Sequence, residues 1–440
     1  MESFYLRASA AVYAALLVPA ALATQNGPQE AEINQQHLYG TDCLPGPLQL
    51  DSYPTCVTAT SDDDDLPWAP WTYRPYCAGD TNYCVFTNTD FRGRDKGVSV
   101  IDVPPSGTEN ATSAVTSIAK LLSSRPPAPE SADTTSPPYE LRDMPGKGKG
   151  LIATRKISRG EVFMVDYAAV VADTKLPGRV RQAQGRQLLS EAIERLPGAD
   201  EVLSLARSSP DPDNVPAGED VMTTNSFGVE INGKGYMALF PRIAVSLFGV
   251  VGVLRGKAVR TIIDANPSCT IQRMNHACKP SAITRFNATT LSNTATAFHD
   301  ILPNEELTIS YAEFGLPSAA RRQTLRKWGF TCTCALCSLP ADELAASDER
   351  RTRVSRLGKE VIELVQHGDK DDLKTAVELY AEAVDAVKEE GLVPHLGGHY
   401  QVLGQLWAAA GDLEKGKEWV RRGREETALY EQVGGGVGGY

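Results

Sequence analysis

Arg273-Met274-Asn275-His276-Ala277-Cys278-Lys279-Pro280, followed by Glu305-Glu306-Leu307-Thr308-Ile309-Ser310-Tyr311 and then by Trp328-Gly329-Phe330-Thr331-Cys332-Thr333-Cys334-Ala335-Leu336-Cys337, decides how this chain is read. The last block carries C-x-C-x-x-C, three thiols on one tight loop, one short of the tetrahedral set that zinc takes. Cys278 completes the set if the first block folds beside that loop. The competing reading is a set of disulfides. Cysteines this close in sequence pair poorly with one another for geometric reasons, and zinc on Cys278, Cys332, Cys334 and Cys337 is therefore favoured. Upstream, Pro145-Gly146-Lys147-Gly148-Lys149-Gly150-Leu151 stands directly before a strand-like stretch. Its glycines let a ligand approach the backbone closely. A plain hairpin turn is the bland alternative, and the stretch lacks the Lys-Ser/Thr ending of a P-loop.

Working outward, Leu151 to Thr154, Val162 to Val171, Ser226 to Ile231, Ala295 to Phe298 and Leu307 to Tyr311 read as short strands, and Arg179 to Arg195 as a helix ending before Pro197. Many short strands with one helical insert predict an α+β sheet domain over 139–338, not a doubly wound one. Beyond Asp348 the pattern turns helical. Arg353 to Gln366, Leu373 to Lys388, His399 to Ala409 and Leu413 to Leu429 are amphipathic, giving a tetratricopeptide-like helical region over 339–432. Fewer than three such pairs cannot stand alone, so they should pack on the sheet domain. The Gly-rich tail, 433–440, reads as disordered.

The order N-H-x-C-x-P, E-E-L-x-I-x-Y, C-x-C-x-x-C resembles a SET domain followed by its post-SET zinc loop. The Gly-Lys-Gly-Lys-Gly turn matches the first SET motif. The similarity spans Tyr139 to Cys337 and is closest to the SMYD type and a related fungal group, without the MYND finger. It implies a SET β-fold with a threaded crossing (a pseudoknot) and protein-lysine N-methyltransferase activity with S-adenosylmethionine. On that resemblance, Lys147, Gly148, Lys149 and Gly150 cradle the methionine end of the cofactor. Asn275 bonds its amino group, the His276 backbone meets the adenine, Phe330 stacks near it, and Tyr311 stands at the methyl-transfer channel as the catalytic residue. The implied partner is a protein bearing a lysine, a histone or another. An inactive SET scaffold that holds a peptide partner is the alternative, and a secreted recognition protein working through its amino-terminal module is a third.

Departures from the family pattern are Ala277 for Ser, Ser310 for Asp, and Ser281 for the Asn that helps hold the crossing. The 245–272 stretch separates Leu239-Phe240-Pro241-Arg242-Ile243-Ala244 from Arg273, where the family runs almost directly on. It reads as translated intron, with a surface insertion as the competing reading.

At the other end, Met1 to Ala23 has a basic start, an apolar run and the small-x-small site Ala21-Leu22-Ala23, the pattern of an export signal. The run is short for a membrane span. Cys43, Cys56, Cys77 and Cys84 form an even set in an exported context, which favours disulfides of unassigned pairing. Residues 24–103 read as a loop-rich Cys-containing module, and 104–138 as a Ser/Thr/Pro linker with a helix-like stretch from Ala114 to Leu122. The expected location is the secretory pathway or outside the cell, or the nucleus and cytoplasm if the signal is unused. Asn110 and Asn287 head glycosylation sequons, and the second requires an exposed turn. A net charge of -11 argues against a protein that coats nucleic acid, because phosphate binding needs a basic surface.

Overall fold

The computed structural model describes residues 68–92, 96–105, 113–124, 136–144, 147–206, 215–243, 274–326, 330–367 and 369–430. The export signal, Cys43, Cys56, Cys269, Asn110, the 245–272 stretch and the Gly-rich tail lie outside these residues.

The first strands are β1 (Tyr76–Cys77), β2 (Cys84–Asn88) and β3 (Val98–Asp102). With β7 (Val170–Asp173), β8 (Ser226–Ile231) and β9 (Lys234–Leu239) they form a six-stranded sheet in the order β1-β2-β3-β7-β9-β8. The part of the amino-terminal segment that is described is therefore not a separate loop-rich module. Its β3 pairs in parallel with β7, Val100 opposite Val171, and belongs to the same body as the downstream strands. Alternation explains why. Val98 and Val100 face one core and Ile101 the other, so β3 is buried on both faces and its run of apolar residues lacks the one-sided pattern of a surface strand. A disulfide joins Cys77 to Cys84 across the first hairpin.

Helix α1 (Ala114–Ser123) covers one face of this sheet, its Ser113 side chain capping the Val115 N–H. The helix predicted over Arg179 to Arg195 is present as α3 (Gln182–Glu194), and three short ones flank it in the insert: α2 (Leu176–Arg179), α4 (Ala199–Leu203) and α5 (Ala217–Asn225). They cover the other face, with Leu188, Ile193 and Val221 against Val85, Ile101 and Leu239. The run expected as a single strand from Val162 to Val171 breaks at Ala168-Ala169. Its first part, β6 (Val162–Tyr167), joins β11 (Ala282–Asn287) and β12 (Ser292–Ala297) in a three-stranded sheet. Asn287 is buried, and its Oδ1 accepts from the Thr289 N–H (2.9 Å) and hydroxyl (2.7 Å). The turn between β11 and β12 is there and Thr289 is exposed on it, but the asparagine that would carry the glycan is buried at its foot.

The third sheet positions the site. It holds β4 (Tyr139–Met144), β5 (Gly148–Ala153), β10 (Asn275–His276) and β13 (Glu306–Ile309), in the order β10-β13-β5-β4. β10 pairs with β13 in parallel, Asn275 opposite Thr308 and His276 opposite Ile309, which places two distant motifs side by side. Ser281 stays in this junction. Its N–H donates to Thr308 Oγ1 (3.0 Å), and its Oγ accepts the Thr308 N–H (2.8 Å), so the hydroxyl closes the contact in place of the family's amide.

After α6 (Ser318–Leu325) come four long helices, α7 (Ala341–His367), α8 (Lys370–Glu390), α9 (Val393–Ala409) and α10 (Leu413–Ala428). Three of them start earlier than the apolar pattern indicates, α8 by the polar turn Lys370-Asp371-Asp372 that follows its Asp369 cap. Polar first turns account for this in α7, and Pro394, tolerated in a first turn, in α9. Gly404 and Gly416 let α9 and α10 touch backbone to backbone: a Cβ on Gly404 would lie 2.7 Å from the Gly416 oxygen. The helices dock on the sheet domain as their number demands. Tyr430 packs edge-on against Phe298, and Arg159 pairs with Glu426. No described helix is long and apolar enough to cross a membrane.

Candidate active site and cysteine cluster

Asn275 and His276 are buried at the edge of the third sheet. The Asn275 Nδ2 donates to the Lys149 carbonyl (3.1 Å) and to Glu306 Oε1 (2.8 Å). Lys147 reaches the same carboxylate from the turn before β5, Nζ to Oε2 at 2.8 Å. The Lys149 side chain turns away to Asp143, so only its backbone faces Asn275. Gly150 is held without a side chain by this crowding. A Cβ there would meet Met144 Cγ at 2.7 Å, Asn275 Nδ2 at 2.9 Å and Glu306 Oε1 at 3.0 Å. Lys147 to Gly150 and the Asn-His pair, over a hundred residues apart in the chain, thus come together at one edge of the sheet.

His276 connects this edge to the cysteines. Its Nδ1 accepts the Tyr311 N–H (3.0 Å), and its Nε2 lies 3.2 Å from Cys278 Sγ. Burial pushes the imidazole down to about 4 despite the opposing pull of Cys334, so the ring is neutral at pH 7. With Nδ1 an acceptor, Nε2 carries the hydrogen and points it at sulfur. The Tyr311 hydroxyl donates to the Met274 carbonyl (2.8 Å). The Tyr311 ring stands 5.2 Å from His276 and edge-on to Phe330 at 6.3 Å, while Phe330 lies 6.1 Å from His276. Of the residues singled out in the sequence for cofactor and catalysis, Lys147, the Lys149 carbonyl, Gly150, Asn275, His276, Tyr311 and Phe330 are linked by these contacts.

The Sγ atoms of Cys278, Cys332, Cys334 and Cys337 all lie within 4.8 Å of one another. Cys278 Sγ is 3.9 Å from Cys332 Sγ and 3.5 Å from Cys337 Sγ. A zinc tetrathiolate with bonds of about 2.3 Å has sulfur–sulfur edges of about 3.8 Å, whereas a disulfide closes to about 2.0 Å. The spacing fits the ion and not a bridge. Crowding of four sulfurs also drives their protons apart: its thiol neighbours, Cys278 first, hold Cys334 far below the usual thiol range, while Cys278 itself is pushed up by the other three.

A family model described as "SET domain" matches residues 148–312. The chain carries a SET domain. No curated protein matched the chain. The matched span opens at the Gly-Lys-Gly turn and closes just past Tyr311. Gly148 to Leu151, Arg273 to Pro280 with Cys278, and Glu305 to Tyr311 thus fall inside the matched span, Lys147 just precedes it, and Cys332, Cys334 and Cys337 follow it. SET domains are generally protein methyltransferases, and the match supports that family for residues 148–312.

Sequence pattern assigns no role to three charged residues of this region, Glu306 within the SET domain and the buried Arg351 and Glu390 outside it. Arg351 and Glu390 sit in the helical region and meet at 3.0 Å with both side chains fully buried. Arg351 also donates to the carbonyls of Phe314 (2.5 Å), Leu316 (3.3 Å) and Cys278 (3.5 Å). Their only signal was amphipathic helix, which marks charged positions as solvent-facing.

Proposed function

We propose that this chain is an S-adenosylmethionine-dependent protein-lysine N-methyltransferase with a structural zinc at the edge of its active site. The observation that carries the reading is the convergence of Lys147, Gly150, Asn275, His276 and Tyr311 from three distant segments onto one edge of the sheet. The donor set suits the cofactor. A side-chain-free approach at Gly150, a cation at Lys147 and a fixed amide at Asn275 can receive an amino-acid terminus, and the Phe330 ring offers a face beside His276 for an adenine.

Bound S-adenosylmethionine would supply a methyl group on a positively charged sulfur. The residues of the chain align and dry the reaction. Methyl transfer needs the acceptor lysine neutral, and its ordinary pKa is about 10.4, so an apolar channel must favour loss of the proton. Tyr311, its hydroxyl hydrogen given to the Met274 carbonyl, turns oxygen lone pairs toward an incoming amine and orients it. It has no nucleophilic part. Cys278, Cys332, Cys334 and Cys337 would hold zinc, and the ion would brace the Asn-His strand against the loop bearing Phe330, a structural part outside the transfer itself. The substrate is a protein of the secretory pathway if the export signal operates. The Cys77–Cys84 bridge suits an oxidising compartment.

Calorimetric titration of S-adenosylmethionine into the zinc-loaded protein, with and without residues 245–272, tests the reading. One-to-one binding in either form, with Tyr311→Phe retaining binding but losing methyl transfer to lysine-bearing protein, is the expected result. No binding by either folded form would leave a scaffold that holds a peptide.

A further inference from the structure

We infer that Glu306 is a positioning residue that sets Asn275 and Lys147 to receive the zwitterionic amino-acid end of the cofactor. This rests on the cofactor reading above and adds to it a residue that no motif role covers.

The inference follows from counting donors and acceptors. Asn275 Nδ2 has two hydrogens, and both are spent, one on the Lys149 carbonyl at 3.1 Å and one on Glu306 Oε1 at 2.8 Å. Flipping the amide would set its oxygen against two acceptors, a carbonyl and a carboxylate, so the orientation is locked. Oδ1 is left as the amide's acceptor, able to take a hydrogen from an ammonium group. The other oxygen of the same carboxylate holds Lys147 Nζ at 2.8 Å. One of the three ammonium hydrogens is used there, and two can serve a carboxylate. A single glutamate thus fixes an acceptor and a cation side by side, the complement of an α-amino acid with its ammonium and carboxylate.

Glu306 is well placed for that work. Its side chain is 15% exposed against 32% for Lys147, so the pair is not a mobile surface bridge. It projects from β13, whose neighbours β10 and β5 carry Asn275 and Gly150. The absent Cβ of Gly150 leaves its Oε1 room, since a methyl group there would sit 3.0 Å away.

The test compares three ligands on the full chain. S-adenosylmethionine carries the amino-acid end on a sulfonium, and 5′-methylthioadenosine has the same adenosine on a neutral thioether without it. S-adenosylhomocysteine, a neutral thioether that keeps the amino-acid end, is run alongside and should follow S-adenosylmethionine, which separates the amino-acid end from the sulfonium charge. Calorimetry measures the two that carry this end, and ligand-observed NMR, which reads millimolar affinities, 5′-methylthioadenosine. Glu306→Ala should weaken S-adenosylmethionine about ten-fold or more, the scale of losing charge-assisted hydrogen bonds, and leave 5′-methylthioadenosine within about two-fold. Glu306→Gln keeps volume and a neutral acceptor and should fall between wild type and Glu306→Ala for the two ligands with the amino-acid end alone, which keeps the test sound if the alanine variant folds poorly. Equal loss for all three ligands means general damage to the site and overturns the inference, as does unchanged S-adenosylmethionine affinity in both variants. Wild-type protein that binds none of the ligands refutes the cofactor reading itself, a separate outcome.

Discussion

Glu390 ends α8 with no exposed surface, and replacing it by Gln should be among the most destabilising isosteric changes in the protein. Its Oε1 accepts from Arg351 Nε at 3.0 Å and from the Ser347 hydroxyl at 2.6 Å, while Oε2 faces Arg350 Nε at 3.0 Å. Arg350 and Lys279, at 30% and 43% exposure, can turn to water when the carboxylate is lost, so they add little. Arg351 is fully buried and cannot. Stranding such a charge costs about 3–5 kcal/mol, whereas removing both partners in favour of well-packed groups costs far less. Urea unfolding at pH 7, followed by the fluorescence of Trp407 and Trp419 in the helical region, should therefore show Glu390→Gln losing about 3–5 kcal/mol. The double variant Glu390→Gln/Arg351→Met should be more stable than that single variant. The pH dependence has a definite sign. Burial pushes the Glu390 carboxyl up, but the Ser347 hydroxyl and the Arg351 guanidinium more than offset this and leave it lowered. Its contribution is thus present above the ordinary glutamate value of about 4.3 and lost as pH falls below that through the depressed folded value. Glu390→Gln should flatten this part of the acid limb. A loss under about 1 kcal/mol, or a double variant that sums two separate losses, would refute the stranded-charge argument.

Three further outcomes are expected. Gly150→Ala should cost about 1–3 kcal/mol in thermal unfolding and weaken S-adenosylmethionine, because its Cβ must displace Met144, Asn275 or Glu306; full affinity in calorimetry would show this edge to be pliant. Burial pushes Asp166 up to about 6, against the N–H groups of Tyr167, Arg242 and Ile243. Its carboxyl carbon should titrate there in NMR, with stability falling as pH rises from about 4 to 6 because the unfolded chain ionises first. A midpoint near 4 would mean those donors fully offset burial. Purified protein should carry about one zinc per chain in the Cys278, Cys332, Cys334 and Cys337 site, and Cys278→Ser should release it to a chelator faster, as read by a metal-sensitive dye; equal rates would remove Cys278 from the set.

The sequence by itself determined the parts whose signal is local or ordered. The three motifs in their order marked a SET domain, because the residue types that chemistry needs are few and their spacing survives in one dimension. The cysteine spacing marked the cluster for the same reason, and Cys278 was placed from the chain alone. Amphipathic periodicity found the long helices, α7 to α10, since one face of each must be apolar.

Tertiary structure decided what depends on distant chain segments. That β3 pairs in parallel with β7, drawing β2 and β3 into the main sheet, could not be seen, because a short strand buried on both faces has no alternation and its partner lies about 70 residues away. The break at Ala168-Ala169, which sends β6 and β7 into different sheets, is likewise set by partners. Glu306 and Glu390 make the point most sharply: both read as ordinary acidic residues of a strand edge and a helix end. A carboxylate's role depends on which cations and amides face it once water is excluded, and only the fold brings Lys147 and Asn275 to the one and Arg351 to the other.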